Sequence, residues 1–78
     1  MSFIPSIRPS KLLPILFRMG FKIVRQKGSH AHLEHAIDKT RKITIPIHSR
    51  DLPKKTLLSI LKQASISIEE FVKLLNRG

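Results

Sequence analysis

The heptad Lys42-Ile43-Thr44-Ile45-Pro46-Ile47-His48 constrains the fold more than any other part of this chain. Its apolar residues fall at every second position, and successive side chains of a strand point to opposite faces. A strand patterned in this way has one buried and one exposed face, so its sheet is covered on one side only. Pro46 cannot donate a ladder hydrogen bond, which puts the strand at an edge or frays it there. With 78 residues and no cysteine, the chain holds one small core that neither a disulfide nor a thiolate metal site can supplement.

Two further strands are expected, Phe21–Lys27 and His30–His35, joined by Gly28-Ser29. In the first, Phe21 and Ile23 lie on one side and Lys22, Val24 and Gln26 on the other, an imperfect alternation. In the second, Ala31 and Leu33 face the core, while His30, His32 and Glu34 face away. Ahead of them Ser10 is a candidate N-cap for a broad apolar helix of Leu12, Leu13, Ile15, Leu16, Phe17 and Met19 that ends at Gly20. Pro14 falls near enough to its start to be tolerated.

Leu57, Ile60, Leu61 and Ala64 recur at helical spacing and define a second amphipathic helix. A third opens with a capping box, Ser67 and Glu70, and a hydrophobic staple, Ile66 and Phe71, and continues its apolar face through Ile68, Leu74 and Leu75. The expected class is therefore α+β, an α-β-β-β-α order with a short additional C-terminal helix. A three-stranded antiparallel sheet carries its helices on one face and leaves the other open. Residues 1–9, with Pro5 and Pro9, are expected to be a flexible segment and residues 10–78 a single domain.

Fifteen Lys and Arg against five Asp and Glu give a net charge of +10, spread along the whole chain. So large an excess attracts polyanions, and its distribution suits a charged folded surface better than a basic tail. Nucleic acid is the expected partner. The longest apolar run, six residues from Leu12 to Phe17, is far too short for a signal sequence or a membrane span. No membrane association is expected, and the cytoplasm is the expected location.

If Leu33 pairs with Ile45, then His30 faces His48 on the open side, with their Cβ atoms about 5 Å apart. A register shift of two makes them diagonal neighbours instead. RNA supplies its own nucleophile, the 2′-OH, so cutting it needs a base, an acid and cations on the phosphate. His30, beside the turn and near Arg25 and Lys27, is the best-placed proton carrier. His48 is a candidate second donor or a phosphate contact, and His35, on the inward parity, reads as a strand-end residue. Gly28 lets the backbone approach a ligand closely.

His30, His32 and His48 also permit a zinc reading, because His-x-His on a strand aims two imidazoles to one side. The scattered carboxylates, Glu34, Asp38, Asp51, Glu69 and Glu70, do not suit a two-metal nuclease. Phe3, Phe17, Phe21 and Phe71 are the only aromatics and three of them fit core positions, which leaves little for a base-stacking platform.

The ordered set Gly20-Phe21, Arg25-Gln26-Lys27-Gly28-Ser29-His30, Ile45-Pro46-Ile47-His48, Thr56-Leu57, Ser59-Ile60-Leu61-Lys62-Gln63-Ala64 and Ile68-Glu69-Glu70-Phe71 resembles the HicA-type, or YcfA-like, toxins. The resemblance spans residues 10–75. It implies a fold like that of double-stranded RNA-binding domains and an endoribonuclease, an mRNA interferase, held inactive by a HicB-type antitoxin. By that resemblance His30 is the catalytic histidine, Gly28 and Ser29 are the turn that presents it, and His48 belongs to a Pro-x-His element. Arg25, Lys27, Gly28, Ser29 and His32 are the expected RNA contacts, and neither a metal nor a small-molecule cofactor is expected. Lys55 and Ser65 stand where the family commonly has glycine. The alternative from a different class is a non-catalytic RNA-binding module.

Overall fold

The computed structural model describes residues 4–77. The elements are α1 (Pro9–Arg18), β1 (Phe21–Lys27), β2 (His30–His35), β3 (Lys42–Pro46), α2 (Lys54–Ala64) and α3 (Ile68–Arg77). The strands form one antiparallel sheet in the order β1-β2-β3. Ala31, Leu33, Ile43 and Ile45 are buried together with Leu12, Leu16, Leu57, Ile60, Leu61 and Phe71 from the helices, so the helices cover one face. This is the α+β arrangement of a double-stranded RNA-binding-type domain. Each of the buried Leu, Ile and Phe side chains contributes roughly 1.5–3 kcal/mol of apolar transfer.

The helix starts differ in detail from expectation. α1 begins at Pro9, with Arg8 rather than Ser10 at the N-cap position and no side-chain cap. Proline suits the first helical turn because its missing N–H would have no partner there. Pro14, exposed inside α1, removes the N–H that would bond the Ser10 carbonyl. Upstream, Ile7 is buried and its carbonyl accepts the Leu52 N–H at 2.8 Å. Of the segment expected to be flexible, residues 1–3 lie outside the described residues, and Phe3 with them. Phe21 and Phe71 are core residues, whereas Phe17 is 46% exposed.

At the third helix the Ser67 half of the capping box is formed, with the Glu70 N–H donating to Ser67 Oγ at 3.1 Å, and the staple residues Ile66 and Phe71 are both buried. Between α2 and α3, Ser65 caps α2 in the left-handed region at φ 59° and ψ 40°. That backbone conformation explains why glycine is at home in this position. Gly20, between α1 and β1, has φ +101°, and a Cβ there would come within 2.9 Å of His35 Nε2.

Candidate active site

A bulge in β1 decides which side chains reach the open face. Phe21 pairs with His35, Lys22 with Glu34 and Ile23 with Leu33; beyond Val24 the partners become Arg25 with His32, Gln26 with Ala31 and Lys27 with His30. Strict alternation from Phe21 would have turned Arg25 and Lys27 toward the helices. One extra residue inverts the phase and brings both cations to the open side. The expected grouping of Gln26 with Lys22 is corrected accordingly, since Gln26 now sits opposite buried Ala31, whereas Val24 lines the open-face hollow with Arg25 and His32.

The open face carries three cross-strand rows: Lys22, Glu34 and Lys42; Arg25, His32 and Thr44; Lys27, His30 and Pro46. Glu34 is the one acid in the strands, and Lys39 lies 3.5 Å from it. The rows holding His30 and His32 therefore contain cations and no carboxylate.

The register of β2 with β3 also differs from the one expected. Leu33 pairs with Ile43, not Ile45, and His30 stands opposite Pro46, not His48. β3 ends at Pro46, two residues short of the expected strand, as a residue without an N–H favours. The chain nevertheless stays beside the turn, because the Ile47 N–H donates to the Ser29 carbonyl at 2.6 Å. His48 lies one residue past that bond and beyond the end of β3, so the sheet forms neither the opposed nor the diagonal pairing with His30. It is half-buried, and its Nδ1 accepts the Arg50 N–H at 3.3 Å.

Gly28 takes φ +58° while Ser29 does not have a positive φ, the φ pattern of a type II′ two-residue hairpin. Nothing lies within 4 Å of where a Gly28 Cβ would stand, so backbone geometry, not crowding, calls for glycine. His30 follows immediately and is exposed, with no side-chain hydrogen bond among the described residues. His32 is half-buried, and its Nδ1 lies 3.2 Å from Thr44 Oγ1. Beside it is a shallow hollow of about 290 Å³ whose lining includes Val24, Arg25, His32, Lys42 and Thr44. Two larger hollows, of about 450 and 510 Å³, lie against α1 and α3 and have no histidine in their walls.

His35 occupies a different environment. Its Nδ1 accepts the Ile37 and Asp38 N–H groups at 3.2 and 3.1 Å, so Nε2 carries the proton and donates to the Met19 carbonyl at 3.0 Å. The ring also meets Phe21 edge-on, with centroids 5.1 Å apart. Arg41 reaches from the following loop to the Ala64 carbonyl at the end of α2, with Nε at 3.0 Å, and its guanidinium lies 5.2 Å from the centre of the Phe21 ring. Within the loop, the Thr40 hydroxyl and then its backbone N–H bond Asp38 and hold that carboxyl below its ordinary value. These groups organise backbone and stand apart from the open face.

Among the described residues no three His, Asp or Glu side chains gather around a point where one metal ion could sit. His30, His32 and His48 thus do not form the cluster that their outward parity allowed. What the open face offers instead is two exposed or half-exposed imidazoles among cations, a set able to move protons beside a bound phosphate. Thr44 was placed on this face by its parity but not beside His32, since that contact depends on the register.

A three-stranded antiparallel sheet with one helical face and one cationic, histidine-bearing face defines a small basic α+β domain with the fold of double-stranded RNA-binding domains. The family model for the HicA toxin of bacterial toxin-antitoxin matches residues 9–66, from the start of α1 through the end of α2. The chain belongs to the HicA toxin family, and so is the toxin of a toxin-antitoxin pair. No curated protein matches it. No helix among the described residues is long and apolar enough to cross a membrane.

Proposed function

We propose that this toxin is a metal-independent endoribonuclease that cleaves mRNA in the cytoplasm with His30 as a proton-transfer residue and is neutralised by a HicB-type antitoxin. The observation that carries the reading is the row Lys27–His30–Pro46: an unencumbered imidazole directly opposite a cation, beside a glycine turn, on the open face of a HicA-family domain. Arg25 and Lys27 attract the phosphate, and the Gly28-Ser29 backbone leaves room for it to approach. His30 then exchanges a proton with the 2′-OH or the leaving oxygen. The 2′-oxygen attacks phosphorus, the bond to the 5′-oxygen breaks, and a cyclic phosphate and a 5′-hydroxyl result. Positioned acid and base groups each supply about 10² to 10⁴ in rate.

An antitoxin that covers the open sheet face blocks both the cations and His30, and the +10 charge favours an acidic partner surface. The test is incubation of purified protein with RNA in EDTA. The parent cuts, and His30→Ala is slower by about a hundredfold or more while still binding RNA. Equal rates for the two proteins remove His30 from the reaction. Salt-sensitive binding without any turnover leaves the RNA-binding module as the better description.

A further inference from the structure

His32 and His30 are two residues apart on one face of β2, which places their backbones about 7 Å apart along the strand. The two oxygens that need proton transfer in RNA cleavage, the entering 2′ and the leaving 5′, lie on opposite sides of one phosphorus. A pair of imidazoles at this spacing, with Lys27 opposite one and Arg25 opposite the other, can flank that phosphorus. His32 differs from His30 in being held. Thr44 Oγ1 lies 3.2 Å from its Nδ1, and the adjacent hollow of about 290 Å³ opens next to Arg25.

We propose that His32 is the general acid of the reaction, protonating the leaving 5′-oxygen while His30 takes the proton of the 2′-OH; this rests on the ribonuclease reading above. In the imidazolium form Nδ1–H donates to Thr44 Oγ1 and Nε2–H is free for substrate. As the P–O5′ bond breaks, its electron pair goes to the 5′-oxygen, which takes the Nε2 proton. Nδ1–H stays on Thr44, so the ring keeps its orientation through the transfer. The new bond from the 2′-oxygen to phosphorus closes the cyclic phosphate, His30 gains one proton, His32 loses one, and exchange with water resets both. His48 is less suited, since it lies beyond the end of β3 and outside the paired rows.

Leaving-group chemistry tests this. RNA is cut at a site mapped with the parent protein, and the same RNA is made with sulfur replacing the bridging 5′-oxygen there; a thiolate departs without an acid. His32→Ala cuts all-oxygen RNA about a hundredfold or more slowly, a loss in rate far larger than its loss in RNA affinity, and its pH–rate profile loses the alkaline limb. The sulfur substrate restores it to near the parent rate, whereas His30→Ala stays slow on both. His32→Asn keeps a hydrogen-bonding group toward Thr44 but no titratable proton, and gives the same pattern, which separates lost chemistry from lost folding. Parent-like cutting of all-oxygen RNA by both His32 variants overturns the assignment, as does equal slowness on the sulfur substrate or transfer of the rescue to His48→Ala. A parent protein that cuts no RNA overturns the ribonuclease reading itself, while an active parent with active His32 variants overturns only the role of His32.

Discussion

Gly20 and His35 are coupled across the junction of α1 with the sheet. The backbone turns into β1 at φ +101°, and the imidazole packs where a side chain at residue 20 would begin, 2.9 Å from Nε2. Gly20→Ala meets both the strained backbone and the ring, and is expected to destabilise by about 1–3 kcal/mol. For a domain of this size that lowers the melting temperature by about 4–8 °C per kcal/mol, measurable by thermal denaturation. An unchanged melting temperature contradicts the packing described. The glycine was legible as a helix stop, and His35 as an inward strand-end residue. Its bond to the Met19 carbonyl was not, because contacts between residues sixteen positions apart leave no periodic trace in sequence.

The strands show what alternation determines and what it leaves open. Ile43 and Ile45 announced the core face of β3, and Ala31 and Leu33 that of β2, through parity alone. Parity cannot choose between registers two residues apart, since Leu33 against Ile43 or Ile45 buries the same faces. The choice is made in the loop that follows β2. The His35 N–H donates to the Arg41 carbonyl at 3.0 Å, in line with the observed pairing, and Arg41 is in turn tied to the end of α2. The bulge at Val24 was visible only as imperfect alternation, yet it decides whether Arg25 and Lys27 reach the open face. Exchanging Arg25 and Gln26 tests this without altering composition or charge: R25Q/Q26R moves a cation from opposite His32 to opposite Ala31. RNA binding weakens, and the slope of log affinity against log salt falls by about one. An exchange with no effect on either quantity contradicts the phase inversion at the bulge.

Across the whole molecule, sequence and structure assign different things. The α+β class, the open sheet face and the position of His30 on it followed from hydrophobic pattern and charge, and family membership agrees with the resemblance carried by the motif set. The opposed His30–His48 pair did not survive the register; in its place stand two histidines of one strand among cations. On the proposed ribonuclease reading, this face drives the RNA's own 2′-OH against the adjacent phosphorus. The most direct measurement replaces a single 2′-OH with hydrogen at the mapped cleavage site and analyses the ends of the unmodified RNA after cutting in EDTA. The expected result is that the 2′-deoxy substrate resists cleavage and that unmodified RNA gives cyclic phosphate and 5′-hydroxyl ends. Cutting of the 2′-deoxy site, or products ending in 3′-hydroxyl and 5′-phosphate, contradicts it.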